Sequence, residues 1–175
     1  MNLRSDRSHN DRLTFEELYE NYYDKVFNFV YMRILHREDA EDITEETFMK
    51  AMAAYERYDA SKASYITWLC TIAKNSMLDN IRKSRKGKII SFDGTWDIGE
   101  EDPELMRIED DTERRLYRIF EKLKPEEREL LSMRYKMEME YQEIGNVLGI
   151  EPRTAAKRIE RLLKKCREIE NGDRS

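Results

Sequence analysis

Only six glycines and three prolines interrupt a chain of 175 residues, and that scarcity constrains the fold more than any other feature. Glycine breaks helices through backbone entropy and proline through its missing N–H, whereas Glu, Lys, Arg, Met and Ala propagate them. Apolar residues make up 39% of the chain and charged residues another 39%. That is enough apolar surface for real cores, in one ordinary domain or two small ones. The expected fold class is all-α, as two small helical domains.

The first helix is expected from about Leu13, with Thr14 as its cap and Glu17 at capping-box spacing. Phe15, Leu18, Tyr19, Tyr22, Val26, Phe29 and Val30 recur on one face, and Tyr23, Phe27 and Tyr31 line a neighbouring one. A helix with two apolar faces belongs in the middle of a bundle. A second helix is expected from Glu38 to Tyr58, burying Ala40, Ile43, Thr47, Phe48, Ala51, Met52 and Tyr55. Its other side shows Asp39, Asp42, Glu45 and Glu46, which suits the positive end of the helix dipole and equally suits a docking face for a basic partner. Asp59 to Ser64 reads as a loop. A third helix then takes Trp68, Leu69, Ile72, Ala73, Leu78 and Ile81 as its apolar positions and ends in a basic rim, Arg82 to Lys88, with Gly87 as the stop.

Residues 89–111 break the periodicity and read as a linker. Glu100 to Glu113 holds eight acids against one arginine, next to the five basic residues of Arg82 to Lys88. The net charge of -5 argues against nonspecific coating of nucleic acid, but this block pattern leaves local DNA contact open. Ile89, Ile90, Phe92 and Trp96 give the linker some capacity to dock. Cys70 and Cys166 lack partners at metal-ligand spacing and read as thiols. No cofactor or metal is implied. Without a signal-like apolar opening or an 18-residue apolar run, a cytoplasmic chain with no membrane insertion of its own is expected.

A second unit is expected over 112–170. Leu116, Ile119, Phe120 and Leu123 form one face, Pro125 opens a helix with Leu130, Leu131 and Met133, and a short helix spans Tyr141 to Leu148. Gly149-Ile150 turns the chain into a helix from about Pro152, with Ala155, Ile159, Leu162, Leu163 and Cys166 inward. Short helix, glycine turn and basic helix together predict a helix-turn-helix, whose second helix enters the major groove of DNA. Seven basic residues and one acid lie between Arg153 and Arg167, the right sign for phosphates, although a solvated charged face would look similar. Arg153 and Lys157 are the candidates for base edges, and Arg158, Arg161 and Lys164 for the backbone or a partner.

Two ordered blocks resemble the extracytoplasmic-function group of bacterial sigma-70-type sigma factors. The first runs through Phe15-Glu-Glu-Leu-Tyr19, Asp39-Ala-Glu-Asp-Ile-Thr-Glu-Glu-Thr-Phe48 with Lys50, and Trp68-Leu-Cys-Thr-Ile-Ala-Lys-Asn75 with Asp79 and Arg82. The second holds Leu130 to Tyr135, Tyr141-Gln-Glu-Ile-Gly145, Leu148-Gly-Ile150, Thr154, Arg158 and Arg161. The resemblance implies a region-two-like domain over 13–88 and a region-four-like domain over 112–170, in a factor that directs core RNA polymerase to specific promoters and assists DNA opening. It is not expected to be an enzyme by itself.

The resemblance further implies that Asp39, Asp42, Glu45 and Glu46 bind the polymerase. Tyr58, Lys62, Tyr65, Lys74 and Asn75 become candidates for holding the -10 element as its strands open, with Arg82, Lys83, Arg85 and Lys86 on the backbone. Aromatic rings accept unstacked bases and cations retain phosphates; Trp68 is expected to anchor helices instead. Arg153, Thr154, Lys157, Arg158, Arg161 and Lys164 are implied for the upstream element, read as duplex. The implied partners are core RNA polymerase, promoter DNA in duplex and locally single-stranded form, and, left open, an anti-sigma protein.

The chain departs from the family's pattern at Glu140, where a Ser cap is usual, at Glu138, where Gly is frequent, and at Ala155-Ala-Lys-Arg158 in the recognition helix. These departures bear on base specificity and not on the fold. Two other readings stand beside this one: a metal hydrolase built on His36 and the Asp39-Asp42-Glu46 face, and a DNA-binding regulator that never joins the polymerase.

Overall fold

The computed structural model describes residues 12–84 and 111–172, and all the regular structure among them is helical. Helix α1 (Phe15–Ile34) opens on a capping box: Thr14 Oγ1 accepts from Glu17 N at 3.2 Å, and Glu17 Oε2 accepts from Thr14 N at 2.7 Å. Those bonds hold the Glu17 carboxyl below its ordinary range. Leu18, Val26, Phe29, Val30 and Ile34 are buried. Tyr19, expected on that face, lies at its edge, with its ring against Tyr23 and Phe48 and much of its surface in water. Leu35 ends the helix in a left-handed conformation (φ 51°), fixed by its burial and by donation from its N–H to Tyr31 O at 2.7 Å.

Helix α2 (Arg37–Ala54) starts one residue before the expected point, capped by His36, whose Nδ1 accepts from Asp39 N at 3.3 Å. It tightens into a single 3₁₀ turn at Tyr55–Arg57 instead of running on to Tyr58. Ala40, Ile43, Thr44, Thr47, Phe48 and Ala51 are buried. Met52, expected among them, is 61% exposed: about 100° per residue carries it off the stripe that Ala51 completes. Helix α3 (Tyr65–Ser84) buries Leu69, Cys70, Ala73 and Met77, and turns Leu78 outward, against expectation, for the same reason. Trp68 sits half-buried between the rings of Tyr55 (6.4 Å) and Tyr58 (4.9 Å), the anchoring position expected of it.

Helix α4 (Asp111–Glu121) buries Ile119 but leaves Leu116 50% exposed, so the expected Leu116–Leu123 face is covered only toward its carboxyl end. Pro125 opens α5 (Pro125–Leu131), which continues through a π turn at Ser132–Lys136. Glu138 follows in a left-handed conformation (φ 55°), which explains the glycine usual in the family at that point. Helix α6 (Tyr141–Leu148) ends at Gly149, φ 68°, and α7 (Pro152–Gly172) returns across it with Ala155, Ile159 and Leu162 buried. Leu163 and Cys166, expected inward, are half-buried because they border the open side of α4. The acidic linker expected at 89–111 lies outside the described residues except for Asp111, the first residue of α4.

One buried cluster runs through both helical groups. Helix α1 is its centre, packed against α2 and α3 on one side and α5 on the other, while α3 also meets α6. Arg128, 5% exposed, crosses from α5 to cap α1: Nε donates to Met32 O at 2.7 Å and Nη2 to Arg33 O at 3.0 Å, while Nη1 donates to Leu123 O at 2.7 Å. Arg33 answers in the other direction, pairing with Glu126 at 3.3 Å and with buried Glu129. No helix among the described residues is long and apolar enough to cross a membrane.

Candidate functional site

The acidic face of α2 divides in two. Asp42 and Glu45 point to solvent, and Asp39 is partly held beside His36. Glu46 turns toward α3, where it accepts from Asn80 Nδ2 at 2.8 Å and pairs with Lys50 at 2.8 Å. Lys50 continues the seam to Ser76 Oγ at 3.0 Å and Asp79 at 3.6 Å, and the Glu46 hydrogen bond raises its pKa. Glu46 therefore joins two helices, while Asp42 and Glu45 share the outer surface with Met49 (67% exposed) and Met52. Sequence reasoning missed this methionine pair. Its signal was helical spacing: positions 42, 45, 49 and 52 follow one another along a single stripe. Carboxylates beside adaptable thioethers form a surface that can take a partner with both basic and apolar groups.

The candidates for opened DNA gather around the loop before α3 and along that helix. Tyr58 stacks on Tyr65 with ring centroids 4.5 Å apart, and its hydroxyl donates to Ala63 O at 2.8 Å. Burial and the neighbouring Tyr65 and Tyr22 push its pKa up to about 12, so it stays a neutral phenol. Tyr65 Oη accepts from Leu13 N at 3.2 Å. Each of the two rings thus already lies on the other, half-buried. Lys62 stands well exposed on the loop, near Asp59 (3.5 Å), whose carboxyl is kept low by the hydroxyl and N–H of Ser61. Asn75 is exposed. Lys74 leans the other way, its Nζ donating to Val147 O at the end of α6, 3.1 Å away. Arg82 and Lys83 are on the last turn of α3, and Arg85 and Lys86 lie outside the described residues.

On α7, Arg153, Lys157, Arg158, Arg161 and Lys164 are all exposed, while Thr154 is half-buried in the first turn. Lys164 lies 4.0 Å from Glu168, a weak solvent-exposed pair. Lys165 binds Glu127 at 2.6 Å and helps seat α7 on α5. Glu140 replaces the usual hydroxyl cap of α6, and the first turn is secured by Glu143, whose Oε2 accepts from Glu140 N at 3.0 Å. Glu143 also receives the hydroxyls of Ser64 and Thr67 at the start of α3, 2.5 and 3.3 Å away. Sequence reasoning did not single it out. A glutamate at the third helical position signalled the cap, but nothing local signalled the reach to α3.

Both cysteines are free; burial lifts the Cys70 thiol well above its ordinary range and raises Cys166 less. Among the described residues no cluster of His, Cys, Asp and Glu is arranged to hold a metal. Charged, aromatic and apolar surfaces are what the molecule offers, and these bind.

The family model described as Sigma-70 region 2 matches residues 18–87, and that described as Sigma-70, region 4 matches residues 113–166. The sigma factor SigM of Bacillus subtilis strain 168 is 28% identical over 138 residues, covering 79% of this chain and 83% of that protein. YlaC, an RNA polymerase sigma factor of the same organism, is 29% identical over 141 residues, covering 79% and 81%. BldN of Streptomyces coelicolor is 28% identical over 77% of this chain, a match that spans only 52% of BldN. Among solved structures, CnrH in complex with the cytosolic domain of CnrY aligns with a TM-score of 0.66 at 19% identity, over 91% of this chain and 88% of that one. The sigma factor RpoE of Bartonella quintana, in complex with the anti-sigma factor NepR, gives 0.62 at 18% identity, over 89% and 95%. At those identities the two structures speak for the fold. Since region two precedes region four along the chain, and the sequence relatives named for the extracytoplasmic-function group match across most of its length, the chain belongs to that group of sigma-70-type RNA polymerase sigma factors, non-catalytic proteins that direct the polymerase to promoters.

Proposed function

We propose that residues 13–88 form a polymerase-docking and promoter-melting domain, residues 89–111 an acidic linker, and residues 112–170 a helix-turn-helix domain that reads the upstream promoter element as duplex. The observation that carries this is the division of α7: Ala155, Ile159 and Leu162 are buried, while Arg153, Lys157, Arg158, Arg161 and Lys164 all reach water. A helix held by one face behind a tight turn, with its cations outward, is the arrangement that enters a major groove. Arg153 and Lys157, nearest the amino end, are assigned to base edges, and the later cations with Thr154 to phosphates.

Asp39, Asp42 and Glu45, with Met49 and Met52, form the surface offered to core RNA polymerase, and Glu46 supports it from behind. Tyr58, Lys62, Tyr65, Lys74 and Asn75 hold the displaced strand of the -10 element, with Arg82, Lys83, Arg85 and Lys86 on its backbone. Preferential binding to separated strands lowers the cost of opening, and phosphodiester synthesis belongs to the core enzyme. The protein acts in the cytoplasm, at the nucleoid through the polymerase. A separate anti-sigma protein is a fitting regulator, as the Bartonella relative's complex with one supports.

Transcription by purified core polymerase across a randomised promoter library tests the assignment. The expected result is stable association and initiation from a narrow set of sequences. A protein that neither joined the core enzyme nor changed its start sites would overturn it.

A further inference from the structure

The residues assigned above to opened and to duplex DNA border one groove. Lys74 of α3 stands on one wall, tied to Val147 O, and Arg158 and Arg161 of α7 stand on the other, around a space of about 490 Å³. Glu143 binds Ser64 and Thr67, so α6 lies along the helix that carries the strand-holding candidates. Such a space is far too small for a duplex whose major groove alone is about 12 Å wide. In this arrangement α7 cannot present its full basic face to duplex DNA, nor α3 its own to a single strand.

Resting on the assignment of α3 and α7 to promoter DNA, we infer that the described arrangement is a closed form in which the two domains cover each other's DNA-binding residues, held by a polar latch of Arg33 with Glu129. Glu129 is 2% exposed; one carboxylate oxygen meets Arg33, and the other, Oε1, has no hydrogen-bond partner. Arg33 comes from α1 and Glu129 from α5, so the pair spans the domain interface. A half-satisfied carboxylate in a low-dielectric interface closes the domains without closing them tightly. On opening, water reaches the unsatisfied oxygen.

This physics sets opposite signs for two changes at the same pair. Arg33→Ala leaves the buried carboxylate without its cation, which opening relieves. Arg33→Met with Glu129→Leu replaces the pair by apolar groups, removes the desolvation penalty and tightens closure. Apparent DNA affinity scales with the open fraction, so raising that fraction from about a tenth to nearly all gives about a tenfold gain.

The test uses the full chain with Cys166→Ser, spin-labelled at K62C and E168C, and the upstream-element duplex selected from the promoter library. The expected result is one narrow distance distribution in the parent, an added broad component with about tenfold tighter duplex binding in Arg33→Ala, and a narrow distribution with weaker binding in the double variant. Identical distances in all three proteins would overturn the latch. An open Arg33→Ala protein with unchanged duplex affinity would overturn the mutual covering. If circular dichroism shows Arg33→Ala unfolded, the double variant decides: weaker binding than the parent supports the inference and equal binding refutes it. Distances that shift as expected, in proteins that bind no duplex and no polymerase, would bring down the promoter assignment and leave the latch standing.

Discussion

Ile150 donates its N–H to the carbonyl oxygen of Gly145 at 3.0 Å, and its own carbonyl oxygen comes so near that a β carbon at Gly145 would lie 2.6 Å from it. The turn between α6 and α7 therefore needs two glycines for different reasons. Gly149 supplies a left-handed torsion with open space around it, and Gly145 supplies room for the backbone. Gly145→Ala should destabilise the protein by about 1–3 kcal/mol, read from the urea midpoint, because the obstacle is backbone. An unchanged midpoint would show that the turn can yield.

Glu138 holds a left-handed torsion that costs a β-carbon-bearing residue about 1–2 kcal/mol. Glu138→Gly removes the strain but loosens the unfolded chain, leaving a net gain of about 0.5–1 kcal/mol. Thermal unfolding of the two proteins side by side should show the glycine variant melting higher.

Replacing Arg128 by Met keeps the volume and removes the donors to Met32, Arg33 and Leu123. Carbonyl groups left buried without donors make this costly, by about 2–4 kcal/mol. Calorimetry should record that loss, and a loss below about 0.5 kcal/mol would mean that water replaces the guanidinium.

Burial raises the Glu129 pKa above its ordinary 4.5, and the opposing pull of Arg33 and Lys74 does not cancel that. The folded protein therefore holds this proton more firmly than the unfolded chain does. Stability falls as the pH climbs from about 4.5 through the raised folded value, and recovers as the pH falls back. Glu129→Gln should flatten that part of the stability profile. A profile equally steep in both proteins would assign the slope to another group.

Reversing charge at Asp42 and Glu45 should weaken binding to core polymerase by at least about tenfold, most at low salt, since both acids are exposed. Glu46→Gln should instead loosen the α2–α3 seam, which differential unfolding would register while polymerase affinity changes less. Equal losses of affinity from both sets would place Glu46 in the docking surface itself.

Local rules carried the sequence reading where local physics decides. Thr14 and Glu17 form the capping box their spacing implied, Pro125 opens a helix, and Gly149 takes the left-handed turn. The errors cluster at Tyr19, Met52, Leu78 and Leu116, apolar residues at the edges of helical stripes, where composition cannot say whether a neighbour covers them. Arg33, Arg128 and Glu129 were opaque for the opposite reason. In sequence they are ordinary charges of amphipathic helices, and only contact between distant segments buries them. The Tyr58–Tyr65 stack was similarly hidden, since both rings read as free surfaces until the loop brings them together.

The bonds between α3 and α6 and between α1 and α5 join segments of a single polypeptide, so each partner meets the other at the effective concentration of a tethered pair, of millimolar order for short flexible tethers. Dilution does not separate them. A partner that separates them must gain more from the exposed surfaces than the tether restores, and its apparent affinity for this protein carries that penalty at every protein concentration.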